Sequence, residues 1–422
     1  LQTEAGEVGP RLLFPSLSEA DDLVAADFDG DGKVEVVALS SKEKTAGISS
    51  LSADGRLSFP KALAVKGEPK AMAAGDMNAD GKSDLVVVSK VEKEWKGFLF
   101  SAAEGGVALA GEFVFANMKV NQHEPEGVVA TDLDQDGRLD LLVFDRYKTM
   151  RTYRQKEDGS FEDLASGADY GGGLVEKKKS RDTALIDLDG DGKQEFLVAT
   201  KNFARSLRLE AGRLTVKDQV NARSSASQIK AMTGIDLTGD GKLEVALLDS
   251  KGNMLTVLEK DASGVFQVAA NFPLGTFTFE GLYAADLNGD GKDDLAVLGR
   301  SRFGVLIAGG TDWELREIHS FESPIKDAWL NDYTIADLNA DGKPDLALVE
   351  ARNSTIAIVS LSAEQGFKHR IKWRVFDKKI HGANRDRGGS HPFDINSGDL
   401  NGDGKADLVI FAHDRLIVYL QE

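Results

Sequence analysis

Acidic side chains recur in this chain at a spacing that could bind a cation. The segment from Asp27 to Glu35 carries carboxylates at its first, third, fifth and ninth residues and glycine at its sixth. Those side chains, together with the backbone carbonyl of the seventh residue, can converge on one ion. Calcium prefers oxygen ligands of this kind, and glycine allows the backbone to bend sharply around an ion. The segment therefore predicts a calcium-binding loop.

The same nine-residue pattern, D-x-[DNT]-x-D-G-[KR]-x-[DE], occurs eight times, beginning at residues 27, 76, 132, 187, 236, 286, 337 and 399. One copy could be a solvated turn, whereas eight copies in phase favour up to eight calcium ions, one per repeat. In copy 5 a hydroxyl, Thr238, replaces the carboxylate or amide at the third position, so we expect the weakest binding there. The predicted ligand residues, with the seventh contributing its carbonyl, are Asp27, Asp29, Asp31, Lys33, Glu35; Asp76, Asn78, Asp80, Lys82, Asp84; Asp132, Asp134, Asp136, Arg138, Asp140; Asp187, Asp189, Asp191, Lys193, Glu195; Asp236, Thr238, Asp240, Lys242, Glu244; Asp286, Asn288, Asp290, Lys292, Asp294; Asp337, Asn339, Asp341, Lys343, Asp345; and Asp399, Asn401, Asp403, Lys405, Asp407.

The net charge follows from these loops. Of the 69 acidic residues, 27 occupy predicted ligand positions, and eight divalent ions would bring the formal charge from −18 to about −2. An acidic chain is a poor partner for nucleic acid or anionic membranes. No apolar run approaches the roughly 20 residues of a membrane-spanning helix. The chain has no cysteine, which excludes disulfides and thiol chemistry.

The residues around each copy indicate which elements hold the loops. Small residues such as Ala25 and Ala26 precede the first aspartate, and a continuous apolar run such as 85–88 follows the ninth position. The loop therefore joins two β-strands, the second covered on both faces. Two further strands follow, often around a glycine-bearing turn such as 158–161. Four strands in a period of about 50 residues predict a propeller blade.

The ends of the chain predict how the ring closes. There are 26 residues before Asp27 and 24 from Asp399 to the end, which together make one period. Residues 11–15 have the pattern of residues 56–60, an expected outer strand, whereas the C-terminal part ends after a third strand. We therefore predict an all-β, eight-bladed β-propeller of four-stranded antiparallel blades, closed by the N-terminal strand completing the last blade. One domain should span residues 1–422.

The eight copies resemble the FG-GAP or VCBS repeats of integrin α-subunit propellers and of many secreted bacterial proteins. The resemblance covers nearly the whole chain and implies calcium loops between the first and second strands of each blade. Blades of this kind occur in adhesins, lectins, polysaccharide lyases and subunits of complexes, so the resemblance alone does not choose an activity.

The face away from the calcium loops is the predicted recognition surface, because its loops vary most along the chain. Arginine, histidine and aromatic residues are concentrated there, and they are typical of binding sites. The candidate ligand-binding residues are His123, Tyr147, Trp329, Tyr333, His381, Arg385, Arg387 and His391. No nucleophile motif or phosphate-binding loop is present.

Two functions remain open from the sequence. The first is an exported binding or scaffold module for a glycan or another extracytoplasmic protein, with no catalytic residue. The second is a lyase acting on uronic-acid polysaccharides, in which His381 and His391, with Tyr333 and Arg387, would neutralise the carboxylate and abstract the neighbouring proton. Sites of this modest ligand charge need the higher calcium of the extracellular space or periplasm. The start at Leu1 fits either removal of an export signal or a shortened chain.

Overall fold

The computed structural model describes residues 11–52, 55–103, 105–176, 178, 183–275, 279–299, 301–309, 319–322, 329–351, 354–362, 366–375, 392–412 and 415–421. In these ranges the chain forms 32 strands and two short 3-10 helices, Leu164–Ser166 and Gly172–Val175. The strands form eight four-stranded antiparallel sheets, each one a blade of a β-propeller. The predicted fold class is therefore confirmed.

Each blade consists of four strands, ordered from the innermost to the outermost. Blade 1 has β2 (Asp22–Ala26), β3 (Glu35–Ser40), β4 (Thr45–Ser49) and β5 (Lys61–Ala62); blade 2 has β6 (Glu68–Gly75), β7 (Asp84–Val91), β8 (Glu94–Ala103) and β9 (Gly106–Lys119); blade 3 has β10 (Pro125–Thr131), β11 (Asp140–Asp145), β12 (Arg151–Gln155) and β13 (Phe161–Asp163); blade 4 has β14 (Thr183–Ile186), β15 (Glu195–Thr200), β16 (Phe203–Glu210) and β17 (Arg213–Asn221). Blade 5 has β18 (Ile229–Ile235), β19 (Glu244–Asp249), β20 (Met254–Lys260) and β21 (Phe266–Pro273); blade 6 has β22 (Phe279–Ala285), β23 (Asp294–Gly299), β24 (Arg302–Leu306) and β25 (His319–Glu322); blade 7 has β26 (Leu330–Ala336), β27 (Asp345–Glu350), β28 (Thr355–Ser362) and β29 (Gly366–Arg374); blade 8 has β30 (Pro392–Gly398), β31 (Asp407–Ala412), β32 (Arg415–Tyr419) and β1 (Leu12–Pro15).

The second strand of each blade is the one most completely buried. Every residue of β3, β11, β19, β23, β27 and β31 is buried. These strands lie between two neighbouring blades and carry the apolar runs found in the sequence, because both of their faces must be covered.

Packing between blades closes the ring. In the described part of the chain, the buried apolar residues form eight clusters, each made by two adjacent blades. The cluster between blades 8 and 1 joins Phe411 and Val418 to Val36 and Leu57. Within the described ranges every pair of neighbouring blades shares such a cluster, so each blade packs against a neighbour on both sides.

The N-terminal strand completes blade 8, as predicted. Strand β1 pairs antiparallel with β32, with Leu12 opposite Val418 and Phe14 opposite Leu416. The first and last strands of the chain are thereby hydrogen-bonded in one sheet, so that β32 is paired on both sides and blade 8 has four strands like the other blades.

The outer strand of blade 1 differs from the prediction. Residues 56–60 do not form it: Leu57 makes only an isolated bridge to Leu51, and β5 begins at Lys61. Pro60 precedes that strand and has no backbone N–H to donate to a ladder. The assignment of residues 1–422 to one domain stays a prediction. No helix among the described residues is long and apolar enough to span a bilayer.

Candidate metal centres and ligand face

The eight acidic loops, residues 27–35, 76–84, 132–140, 187–195, 236–244, 286–294, 337–345 and 399–407, connect the first and second strands of the eight blades. In each loop the first aspartate directly follows the inner strand and the ninth residue begins the second strand. The sixth-position glycines all have positive φ, from 78° at Gly342 to 87° at Gly137. The fourth position also has positive φ in every loop, including the non-glycine residues Ala79, Gln135 and Ala340. The sequence pattern did not predict that second constraint.

Three hydrogen bonds recur in all eight loops. The carboxylate at position 1 accepts the N–H of the position 6 glycine at 2.7–3.0 Å. The aspartate at position 5 accepts the N–H of position 7 at 2.9–3.0 Å. The carboxylate at position 9 accepts the N–H of position 2 at 2.8–3.3 Å. Backbone donors therefore fix the acidic side chains in each loop.

In three loops the acidic oxygens already lie close together. Ligand atoms of Asp27, Asp29 and Glu35 lie within 4.8 Å of one another, as do those of the group 132, 134 and 136 and of the group 187, 189, 191 and 195. Among the described residues, the buried Oδ1 of Asp134 has no hydrogen-bond partner. A hard cation would satisfy that atom, because carboxylate, amide and carbonyl oxygens are its preferred ligands. The donor set therefore fits calcium.

Burial makes the carboxyl at position 9, which closes the loop, harder to ionise. Burial raises the pKa of Glu35 to about 7, and the nearby Asp29 and Asp31 add to the effect. Burial likewise raises the pKa of Asp140 and Glu244 to about 7 and that of Asp294 to about 6. A bound cation would have the opposite effect, since it favours the charged form.

The side chain at position 7 links neighbouring loops, a role that the sequence did not reveal. Lys82 Nζ of blade 2 donates to the carbonyl of Asp29 in blade 1 at 2.5 Å. The lysines at 292, 343 and 33 likewise lie against the position 4 glycines at 239, 289 and 402 of the preceding blade. The recurrence of Lys or Arg at this position was the available signal, but the target of the side chain depends on how adjacent blades pack.

We call the opposite side of the ring the hairpin face; it holds the turns between second and third strands and the loops that lead into inner strands. Tyr147, in the turn between β11 and β12, is 62% exposed, and Trp329, just before β26, is 45% exposed. His123, just before β10, is buried, and its Nδ1 lies 2.9 Å from Asp145 Oδ2. Of these three predicted ligand residues, only the two aromatic ones present a large surface to solvent.

Tyr333 lies further inside, on inner strand β26. Its ring centroid is 4.6 Å from that of Tyr283 on β22, and the two hydroxyls interact. Burial raises the pKa of both phenols. They line a cavity of about 550 Å³ along the inner strands of blades 4 to 7, together with residues such as Thr233 and Ile335. The sequence did not identify Tyr283, because its pairing with Tyr333 depends on the contact of two blades.

Three inner strands also carry half-buried acids that the sequence did not reveal. Asp332 and Asp394 are hydrogen-bonded to each other. Burial raises the pKa of Asp394 to about 7, with a further contribution from Asp332, and burial raises the pKa of Asp22 to about 6. Asp332 Oδ2 accepts the N–H of Ile395 at 2.9 Å, and Asp22 Oδ2 accepts that of Met72 at 3.2 Å. Each bond connects the inner strands of adjacent blades, and each acid lies five residues before an acidic loop.

Four of the predicted ligand residues, His381, Arg385, Arg387 and His391, lie outside the residues that the structure describes. The proposed use of these four side chains therefore stays a prediction.

Comparison with known proteins places these features in a family. The FG-GAP-like repeat family matches residues 27–87, 132–198, 236–297 and 286–348, which together span more than half of the chain. A comparison with curated proteins gave no significant match.

Among solved structures, an exotype rhamnogalacturonan lyase superposes with a TM-score of 0.55 at 14% identity, covering 100% of this chain and 74% of the lyase. A rhamnogalacturonan lyase of Bacillus licheniformis gives 0.54 at 14% identity, covering 100% and 73%. A periplasmic gluconolactonase of Pseudomonas aeruginosa gives only 0.46 at 13% identity, covering 82% and 92%. At these identities the likeness to solved structures concerns the fold alone.

Proposed function

Because this chain belongs to the FG-GAP-like repeat family, we propose that it is an exported, calcium-stabilised propeller that binds a glycan or another extracytoplasmic protein. One observation carries the proposal: the two faces of the ring differ in chemistry. The acidic loops occupy one face, whereas the exposed Tyr147 and Trp329 belong to the hairpin face. A rigid scaffold that presents aromatic side chains away from its ion sites is suited to recognition.

Calcium would be held by side chains at positions 1, 3, 5 and 9 and the carbonyl of position 7. It would supply positive charge between carboxylates whose pKa is raised by burial, as for Glu35 and Asp140. The chain's own contribution is to orient the oxygens through the three recurring backbone hydrogen bonds. Calcium is plentiful outside the cytoplasm, which supports export.

The chemistry of the hairpin face and the cavity favours binding by contact with aromatic rings. Tyrosine and tryptophan combine a large apolar surface with a polar tip, and they are enriched where binding energy is concentrated. The cavity lined by Tyr283 and Tyr333 contains no lysine, arginine or histidine among its described lining residues. A neutral sugar ring or an uncharged loop of a partner protein fits such a lining better than a carboxylate does.

The described residues give less support to the alternative function, a lyase acting on uronic-acid polysaccharides. Abstraction of a proton next to a uronate carboxylate requires a positive group to neutralise that carboxylate. The described lining of the cavity offers none, and the arginine and histidines predicted for that reaction, Arg387, His381 and His391, lie outside the described residues. The fold that the chain shares with rhamnogalacturonan lyases does not by itself carry their activity.

The test is a glycan array probed with calcium-loaded protein, together with a pull-down from extracytoplasmic extract. For any ligand found, Trp329→Ala and Tyr147→Ala should each weaken binding by about tenfold or more, as expected for exposed aromatic hot spots. Phe59→Ala is the matched control, because Phe59 is 58% exposed but lies beside the outer strand of blade 1. Equal losses in all three variants, or in none, would contradict the assignment of the face.

The same polysaccharides should be incubated with the protein and followed by ultraviolet absorbance. Binding without formation of unsaturated product would agree with the proposed function. Turnover would replace it with the lyase alternative.

A further inference from the structure

The acidic loop of blade 4 holds a positively charged side chain of this chain's own. Arg208 on β16 donates from Nη2 to both carboxylate oxygens of Asp189, at 3.1 and 3.0 Å, and to Asp191 Oδ2 at 2.8 Å. Its Nε donates to Glu195 Oε1 at 2.8 Å. These acids occupy positions 3, 5 and 9 of the loop. The Arg208 side chain is only 15% exposed, so the guanidinium lies among the oxygens that would otherwise face an ion.

Strand register brings Arg208 to this place. Strand β16 pairs with β15 so that Leu207 lies opposite Phe196, and Arg208 is therefore beside Glu195. At the equivalent position of the third strand, only one other blade has a positively charged residue, Arg154 in blade 3. The residues at this position are Ser50, Ser101, Arg154, Glu259, Ile307, Ser360 and Leu420 in blades 1, 2, 3, 5, 6, 7 and 8.

Blade 3 provides an internal comparison. Arg154 has the same register as Arg208, but it donates to Glu162 on the outer strand at 2.7 Å. It remains 3.9 Å from the nearest oxygen of Asp134 in its loop. Glu162 is the outer-strand partner of Arg154, whereas the outer-strand partner of Arg208 is Thr215. Without a competing acid on the outer strand, the arginine of blade 4 is directed to the loop.

We propose that Arg208 takes the place of calcium in blade 4, so that this loop is held closed by the chain itself. A planar guanidinium with several N–H donors matches clustered carboxylates, and its charge persists at any physiological pH. An ion at the same oxygens would lose those ligands and face a positive charge. The inference rests on calcium binding by the other loops, as proposed above. It predicts that the wild-type protein binds seven ions and that blade 4 stays ordered when calcium is scarce.

The experiment counts bound calcium by native mass spectrometry of the full chain in saturating calcium. Arg208→Ser introduces the residue found at this position in blades 1, 2 and 7, and it should bind one more ion than wild type. Arg154→Ser is the matched control and should leave the number unchanged. Glu162→Thr reproduces in blade 3 the outer-strand residue of blade 4, so it should free Arg154 for the loop and remove one ion.

Thermal unfolding in chelator gives a second readout that does not depend on calcium. Arg208→Ser should melt below wild type there, because three acids lose their shared positive partner, and calcium should recover most of the difference. Arg154→Ser should melt close to wild type. If wild type binds calcium but Arg208→Ser binds no additional ion, this inference is wrong and the proposed function is unaffected. The same holds if wild type and Arg208→Ser have equal melting temperatures in chelator. Absence of calcium from every variant would overturn both this inference and the calcium part of the proposed function.

Discussion

The calcium-free protein should become more stable when the pH falls from 8 to about 5.5. The perturbation acts on the closing carboxyls of the acidic loops, whose pKa in the folded protein is raised by burial, to about 7 for Asp140 and to about 6 for Asp294. In the unfolded chain these groups titrate near 4. A carboxyl whose pKa is higher in the folded state favours folding while it is protonated. That stability is fully present below pH 4 and is lost as the pH rises through about 7.

Asp140 sets the scale of the effect. Its pKa rises from 3.8 to about 7, and each pKa unit corresponds to about 1.4 kcal/mol, so this group contributes roughly 4 kcal/mol over its whole titration. About 2 kcal/mol of that stability is gained between pH 8 and pH 5.5. The other closing carboxyls act in the same direction. Asp261, a surface acid, does not oppose the effect in this window, because hydrogen bonds from Ser263 and nearby backbone groups lower its pKa to about 2. For a chain of this length a rise in melting temperature on the order of 5 °C is expected.

The assay is differential scanning fluorimetry at pH 8, 7, 6 and 5.5, in chelator and in excess calcium. In chelator the melting temperature should rise as the pH falls. In calcium the rise should shrink or reverse, because the ion keeps the loop carboxyls ionised and protons compete with it. Asp22 and Asp394 lie outside the loops and should account for any rise that remains. Asp261→Asn is the control and should leave the pH dependence unchanged. A melting temperature in chelator that is flat or falls towards pH 5.5 would refute the reasoning.

Two further expectations concern calcium and ring closure. At pH 8, chelation should lower the melting temperature substantially, because each loop then holds three or four clustered acidic groups without the charge of a bound divalent ion; an unchanged value would show that the loops hold no stabilising ion. Deleting the chain through Pro15 removes β1 and its partly buried Leu12 and Phe14, and should cost about 3 kcal/mol by urea unfolding. A chain that begins at Arg11 is the control, and equal midpoints for the two would contradict closure by β1.

Acidic side chains accept hydrogen bonds on both faces of the ring, but from different groups. On the loop face, backbone N–H groups and Arg208 donate to the loop carboxylates, and Lys82 donates to a backbone carbonyl of the preceding loop. On the hairpin face, acids at the ends of second strands instead accept backbone N–H groups of the loops: Asp145 accepts that of Glu124 at 3.2 Å, and Glu350 accepts that of Trp329 at 2.9 Å. These bonds fix the backbone beneath His123 and Trp329. A ligand at this face would therefore meet a backbone that is already positioned for binding, which lowers the cost of association.

The sequence by itself determined the features that depend on short stretches of chain. The acidic loops could be predicted because their ligands lie within nine residues and the glycine at position 6 must adopt positive φ. The blade, its four strands and the closure by residues near the N-terminus followed from the repeat period and from which runs are apolar. The outer strand of blade 1 was misplaced because a proline next to a short strand shifts the pairing by a few residues, which a repeated pattern does not reveal.

Only the tertiary structure decided which residues meet across strands and blades. The contact of Arg208 with its loop depends on the register of β15 and β16 and on Thr215 in the next strand. Tyr283 meets Tyr333, and Asp332 meets Asp394, because adjacent inner strands converge around one axis although these pairs are 50 and 62 residues apart in the chain. Local sequence fixes backbone conformation and the choice of ligand atoms, whereas contacts between blades follow from the curvature of the closed ring. The physical reason is that each acidic loop can form from its own nine residues, while the side chains between blades find their partners only once the ring has closed.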